Sequence, residues 1–212
     1  NILRETKNLF GLEATGALNY RNSFAIGYRT LGRFDEAVRV DEDNLHIKER
    51  VLGPNHPDTL QSRNNLANGY SALGRYEDAV RLDEETLRIM ELVNGPEHSD
   101  TLASRNNLAG SYRNLGRHEE VVEICEETLR IYERDLGPEH PLTLTSRSNV
   151  ALSYADLGRY EEAVKINEET LGIRERVSGP EHPDTLRNRN NLAGDYRDAG
   201  RMMRRFSSTR KP

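Results

Sequence analysis

The sequence is poor in the residues that build large or cross-linked cores. Of its 212 residues none is tryptophan, four are phenylalanine and one is cysteine. The lone cysteine, Cys125, excludes a disulfide framework and a cysteine-rich metal site. With 35% hydrophobic and 31% charged residues, the composition is thin for a compact single-core globule of this length. It favours an elongated protein with a narrow core, in which Cys125 is a small buried residue.

The sequence also lacks long apolar runs and has no excess of basic over acidic residues. No run approaches the roughly 18 residues of a membrane span, and no signal peptide or N-glycosylation pattern is visible. We therefore expect no membrane partner and a cytoplasmic location. The net charge is −5, but Arg201 to Pro212 hold five Lys/Arg and no Asp/Glu, so the residues before them are more acidic still. Such an acidic body is not expected to bind nucleic acid.

What the sequence does have is a repeat of 42 residues. Gly-Arg recurs five times and Gly-Pro four times, always 42 residues apart. One tyrosine and one histidine per repeat keep the same phase: Tyr28, Tyr70, Tyr112, Tyr154, Tyr196 and His56, His98, His140, His182. A strict internal period of this size predicts a solenoid of stacked structural units.

Each repeat predicts two helices, A and B. Helix A begins at about Pro57, since proline suits the first helical position, and it ends near Gly74. Acidic residues open helix B, and the Gly-Pro stretch ends it. We expect the repeated histidine to cap the turn before helix A, since one histidine per repeat makes no chelating metal cluster. The A helices are predicted near 17–31, 57–73, 99–115, 141–157 and 183–199, and the B helices near 34–51, 76–93, 118–135 and 160–177.

The two ends of the chain depart from the regular repeat. Residues 1–9 resemble the end of an earlier B helix. The period fails after Arg201, because Arg205 stands where earlier repeats have a small residue. We therefore predict one solenoid domain over 1–201, with about four full repeats plus partial repeats at each end. Residues 202–212 are predicted to form a basic tail or a divergent cap.

The spacing of apolar and small residues resembles the tetratricopeptide repeat. The residues that show the resemblance are Leu66, Ala67, Tyr70, Gly74, Tyr76 and Ala79. The 42-residue period and the linker GPxHPxTL are similar to the kinesin light chain variety, which also occurs in NB-ARC-type signalling proteins. This resemblance, over residues 1–201, implies an all-α, right-handed superhelical solenoid of antiparallel helix pairs. It also implies a concave, peptide-binding groove lined by A helices, and kinesin light chain grooves take short acidic motifs.

Amide side chains recur on one face of the A helices, although asparagine is a poor helix former. On a helical wheel this face lies opposite the apolar stripe of Leu66 and Tyr70, where a solenoid would have its concave wall. An amide offers both donors and an acceptor, so a row of amides can hold an extended peptide backbone whatever its side chains. Alternatively, the asparagines only solvate the groove or bond between neighbouring helices.

Three arginines at one repeat position, Arg29, Arg113 and Arg197, are expected at the groove edge. They would favour an acidic ligand or a C-terminal carboxylate through forked, charge-assisted bonds. The candidate peptide-binding residues are Asn22, Gln61, Asn64, Asn65, Asn68, Asn106, Asn107, Arg113, Asn149, Asn190, Asn191 and Arg197.

A second set of arginines falls inside the predicted apolar stripe of helix A: Arg21, Arg63, Arg105, Arg147 and Arg189. A buried guanidinium needs a partner, and aspartates fall on the core stripe of the first two complete B helices. The predicted pairs are Arg21 with Asp41 and Arg63 with Asp83. The later arginines are expected to use glutamates such as Glu126 or Glu168, or carbonyls.

Enzyme signatures are missing from the sequence. There is no G-x-S-x-G, no H-E-x-x-H, no phosphate loop and no dinucleotide fingerprint. Because a repeat supplies the same site several times whereas catalysis needs a unique one, we expect no enzymatic activity, no cofactor and no metal. The sequence is interpreted as a non-catalytic scaffold that binds an extended peptide segment, possibly acidic. The alternatives are a sensor arm of a larger signalling ATPase, and self-association through the last A helix, where Leu186, Leu192 and Tyr196 would be exposed.

Overall fold

The computed structural model describes the backbone of residues 22–209 and the side chains of residues 22–201, and its fold is all-α, with no strand in these ranges. A first helix, α1, is described over 22–30. The remaining helices are α2 (Phe34–Val51), α3 (Pro57–Ala72), α4 (Tyr76–Asn94), α5 (Ser99–Leu115), α6 (His118–Leu136), α7 (Pro141–Asp156), α8 (Tyr160–Val177) and α9 (Pro183–Thr209).

The predicted helix boundaries are confirmed to within one residue for α2 to α8. Odd-numbered helices are the A helices and even-numbered helices are the B helices. The start of the first A helix and the interpretation of residues 1–9 lie outside the described residues. One boundary, the end of the last A helix, is wrong.

Helix α9 does not end at residue 199 but runs through Gly200 to Thr209. In α5 the equivalent residue, Gly116, takes a left-handed φ of 80° and ends the helix, whereas Gly200 has no positive φ. Acidic residues such as Glu119 and Glu120 then open the following helix. After Gly200 the sequence continues instead with arginine and methionine, which are good helix formers. Nothing favours the start of a new helix there, so α9 continues.

The same cap opens every A helix from α3 onward. The Nδ1 atom of His56 accepts a hydrogen bond from the backbone N–H of Asp58 at 3.2 Å. The same bond recurs at His98, His140 and His182. The predicted capping role of these histidines is confirmed. Each helix start is therefore fixed by a hydrogen bond between residues only two positions apart.

The helices group into two compact units. Unit 1 ends at Gly116 and contains α1 to α5, and unit 2 begins at Arg117 and contains α6 to α9. In unit 1 each helix from α2 onward packs on the next, and the A helices α3 and α5 also contact each other. In unit 2, α6 packs on α7, α7 on α8 and α8 on α9. In the part of the chain that is described, none of the helices is long and apolar enough to cross a membrane.

The core of each unit is narrow and mixes aliphatic with small polar side chains. Val38 and Leu66 belong to the core of unit 1, while Val121 and Val150 are buried in unit 2. Cys125 is buried, as predicted. The hydrophobic wheel did not predict the threonines that are fully buried between these residues: Thr59, Thr86, Thr101, Thr128, Thr143, Thr170 and Thr185. Short side chains at these positions let neighbouring helices approach closely.

Candidate functional site

The arginines predicted to be buried on the A helices are paired, but with different partners. Arg63 binds Glu49 at 2.6 Å and Glu85 at 3.0 Å, not Asp83. It therefore links the B helix before it to the B helix after it. The equivalent bonds join Arg105 to Glu91 at 2.9 Å, Arg147 to Glu133 at 2.5 Å and Glu169 at 3.5 Å, and Arg189 to Glu175 at 2.7 Å. The long side chain reaches past the core stripe to glutamates on the neighbouring B helices, which a helical wheel does not represent. Arg21 lies outside the described residues.

The glutamates expected to receive the later arginines accept hydrogen bonds from tyrosines instead. The hydroxyl of Tyr70 donates to Glu42 at 2.9 Å, and burial together with this bond raises the pKa of Tyr70 to about 12. The same bond recurs in every later repeat: Tyr112 to Glu84, Tyr154 to Glu126, and Tyr196 to Glu168. Glu126 and Glu168 are therefore engaged by Tyr154 and Tyr196, which is why the prediction for them is wrong.

The buried aspartates of unit 1 have other neighbours than predicted. Asp41 pairs with Arg29 of α1. Asp83, only 1% exposed, accepts a hydrogen bond from the Ser111 hydroxyl at 2.6 Å. Burial raises the pKa of Asp83 to about 6, against the lowering effect of the bond from Ser111. Since no ion pair is seen for Asp83 among the described residues, its buried carboxyl group is costly to ionise, and Asp83 weakens unit 1 at neutral pH.

The edge arginines differ in their availability to a ligand. Arg29 is engaged by Asp41 and also donates to the backbone carbonyl of Asn65 at 3.4 Å. Its predicted role as a groove-edge cation is therefore replaced by a structural one. Arg113 is half-buried in the last turn of α5, whereas Arg197 is exposed on α9.

The amides of unit 1 lie on the less buried face of its A helices. Gln61 and Asn68 are exposed, and Asn64, Asn65, Asn106 and Asn107 are half-buried, whereas residues 62, 63, 66 and 67 are buried. Gln61 donates to the side-chain oxygen of Asn65 at 3.2 Å, and Asn22 of α1 accepts from the buried Asn44 at 3.1 Å. Within the described residues, the amides of Asn68, Asn106 and Asn107 have no hydrogen-bond partner. Bonding between neighbouring helices therefore accounts for Asn22 but not for these three.

The amides of unit 2 are distributed differently. Asn190 and Asn191 are exposed on α9, and Asn149 is half-buried on α7. A cavity of about 450 Å³ between α7, α8 and α9 is lined by Leu152, Ala155, Asp156, Tyr160, Asn167, Asn190, Asn191, Gly194, Asp195 and Asp198. The structure thus brings Asn190 and Asn191 together at one cavity, whose lining residues do not include Asn149 or Arg197.

Three carboxylates of this cavity, Asp156, Asp195 and Asp198, were missed from the sequence. Comparison of equivalent positions in earlier repeats could have revealed them. Two repeats earlier, their positions hold Ala72, Ser111 and Asn114, which carry no charge.

Comparison with known proteins places this geometry in a family. A sequence model described as tetratricopeptide repeat matches residues 15–92, 63–123, 100–176 and 145–202. The chain belongs to the tetratricopeptide repeat family. No curated protein sequence matches it significantly.

Solved tetratricopeptide repeat structures of the kinesin light chain type are similar to this chain. One, from Podosopora anserina, is a kinesin light chain-like protein with nearly identical TPR-like repeats. It has 32% sequence identity, a TM-score of 0.77, and coverage of 89% of each chain. BtubC (BKLC) from P. vanneervenii has 22% identity and a TM-score of 0.75, covering 93% of this chain and 78% of its own, which shows likeness of fold. The resemblance to kinesin light chain-type repeats is confirmed, and the chain is a helical repeat scaffold of a kind that typically serves protein–protein interaction.

Proposed function

We propose that this protein is a non-catalytic scaffold that binds an extended segment of a partner protein on the exposed amide face of its A helices. We define the amide face of unit 1 as Gln61, Asn64, Asn65, Asn68, Asn106 and Asn107. Tetratricopeptide repeat proteins generally bind partner proteins or peptides and are generally not enzymes, which agrees with this proposal.

The observation that supports the proposal is the absence of protein partners for Asn68, Asn106 and Asn107 among the described residues. Each asparagine costs about 0.5 kcal/mol of helix propensity relative to alanine. A hydrogen bond within the fold would offset this cost, but these three amides make none there. Their donors and acceptors remain available to a ligand.

The arrangement of the helices suits an extended ligand. The A helices α3 and α5 contact each other, and packed helices have axes about 8–10 Å apart. An extended peptide rises about 3.3 Å per residue, so each A helix of unit 1 would meet a backbone amide about every third residue of the ligand. Amides can bond to either the N–H or the C=O group they meet, so the contact needs no particular ligand side chain.

Selection from a random peptide library displayed on phage tests the proposal. The wild-type chain is compared with an Asn68→Ala, Asn106→Ala, Asn107→Ala triple variant, and with a control in which exposed Arg88 and Asn94 of α4 become alanine. We expect the wild type and the control to enrich the same peptides, and the triple variant to lose them. Equal enrichment by all three proteins would move binding away from the amide face, and no enrichment by the wild type would contradict the proposed function.

A further inference from the structure

The cavity of unit 2 differs in charge from a depression of similar size in unit 1. The depression in unit 1, about 500 Å³, is lined by three arginines that face Glu49, Asp78 and Glu85. Those charges pair with each other: Arg63 bridges Glu49 and Glu85 on two B helices, and Arg75 and Arg81 both bind Asp78 within three residues. In contrast, the lining of the unit 2 cavity includes three aspartates and no lysine or arginine. The first depression is a structural ion-pair network, whereas no basic side chain lines the second.

The fold does not require the negative charge of Asp195. At its repeat position, helix α5 carries Ser111. Both helices have the same position in their repeats, and both pack on the preceding B helix. A neutral residue therefore satisfies the same packing at the position of Asp195, whereas the acid at the position of Asp198 recurs one repeat earlier as Asp156.

Asp195 is held in place by a chain of buried amides. It is 9% exposed, and its Oδ2 atom accepts a hydrogen bond from Asn167 at 2.6 Å. The side-chain oxygen of Asn167 accepts in turn from Asn188 at 2.7 Å. Within the described residues, Asp195 has no lysine, arginine or histidine partner, and its second oxygen, Oδ1, receives no hydrogen bond. A buried carboxylate without a cation partner is costly to ionise, and a cation that entered the cavity would offset this cost.

The neighbours of Asp195 strengthen its preference for a cation. Burial, with a smaller contribution from the negative charge of Asp198, raises the pKa of Asp195 despite the bond from Asn167. Asp198 is bound by Arg201 at 3.2 Å, but the Arg201 side chain is 69% exposed, so water screens this pair. A cation in the cavity would relieve the repulsion between the two aspartates.

We propose that this cavity receives the side chain of an arginine or lysine from the bound segment. The proposal rests on the proposed function and adds to it a basic residue in the ligand. Leu152, Ala155 and Tyr160 supply apolar surface for the aliphatic stem, as long basic side chains require. Asp195 accepts from the charged end, and Asn190 and Asn191 bond to the ligand backbone. A cavity of about 450 Å³ falls within the usual range for ligand sites.

The test uses single capped amino acids, so that it does not depend on peptide binding elsewhere. N-acetyl-arginine methylamide is titrated into the full chain while the side-chain amide signals of Asn190 and Asn191 are followed by nuclear magnetic resonance. N-acetyl-citrulline methylamide is the uncharged control of the same shape. We expect the arginine probe to shift these signals at concentrations where the citrulline probe does not. Equal shifts with both probes, or no shift with either, would overturn the proposal.

Two variants locate the effect. Asp195→Asn removes the charge and keeps an oxygen to accept from Asn167, so the fold is preserved, and we expect arginine to bind about tenfold more weakly. Glu161→Gln removes an exposed charge of α8 outside the cavity and should leave binding unchanged. Unchanged binding to Asp195→Asn would refute the site. If phage selection fails while the arginine probe still binds, the proposed function is wrong but the cation-binding cavity is confirmed.

Discussion

Replacing the buried Asp83 by asparagine is expected to stabilise unit 1 at neutral pH. Asp83 is 1% exposed and its one hydrogen bond in the described structure comes from Ser111. Asparagine can accept this bond through its side-chain oxygen and carries no charge. The chain itself has asparagine at the equivalent position, Asn167 in α8, where it is 2% exposed. The substitution therefore removes a charge that burial disfavours without changing the size of the side chain.

The magnitude follows from the pKa of Asp83. Burial raises it from 3.8 to about 6, and each pKa unit corresponds to about 1.4 kcal/mol. Because the pKa is higher in the folded state, this contribution to stability is fully present below pH 3.8 and is lost as the pH rises through about 6. The loss above pH 6 is about 2 to 3 kcal/mol. Asp83→Asn should recover most of it at about pH 7.5 and gain little at about pH 4.

Urea denaturation followed by far-ultraviolet circular dichroism, at several pH values, measures this difference. Glu77→Gln is the matched control, because Glu77 is an exposed acid on the same helix and its replacement changes the net charge equally. We expect the stability gain of Asp83→Asn to grow between about pH 4 and 7.5 while that of the control stays flat. A gain independent of pH, or a loss of stability at neutral pH, would refute the assignment of Asp83 as a destabilising buried acid.

Three further substitutions test the contacts between repeats. Arg63→Leu leaves two glutamates without their shared guanidinium and should lower the free energy of unfolding by about 1–2 kcal/mol; a higher Tm in scanning calorimetry would show that the ion pairs do not stabilise the fold. Tyr70→Phe removes the hydrogen bond to Glu42 and should cost about 1 kcal/mol in urea denaturation, whereas the wild-type midpoint would mean that this bond adds nothing. His98→Ala removes the cap of α5 and should cost about 1 kcal/mol, with faster amide hydrogen exchange in its first turn; unchanged exchange there would argue against the cap.

Helix boundaries were predictable because their signals are local. The cap at His56 is formed with Asp58, two residues away, and Gly116 ends α5 by its own backbone conformation. Such contacts need no knowledge of the rest of the fold. The end of α9 was missed because Gly200 alone was taken to stop a helix, although the residues after it favour helix as well.

Side-chain partners were predicted less well, because a helical wheel gives the direction of a side chain and not its reach. Arg63 leaves its helix on the core side, as predicted, but its guanidinium lies at Glu49 and Glu85 on neighbouring helices. The amides of unit 1 lie opposite the buried residues of their helices, because the helical period alone decides which residues share a face. The negative charge of the unit 2 cavity was not predicted, because it depends on which residues of α7 and α9 lie next to each other beside α8.

One buried position shows how a repeat can acquire a site without losing its fold. In unit 1, the residue of helix B that faces the next helix A is the acid, Asp83, and its partner 28 residues later is Ser111. In unit 2 the acid and its neutral partner are exchanged between the two helices, since Asn167 on helix B donates to Asp195 on helix A. Both arrangements bury one carboxyl and one neutral partner, so the packing is equally satisfied. However, the carboxyl on helix B is enclosed in the core, whereas the carboxyl on helix A lines a cavity. Burial disfavours the charge in both places, but only the carboxyl on helix A lies where a cation from a ligand could reach it.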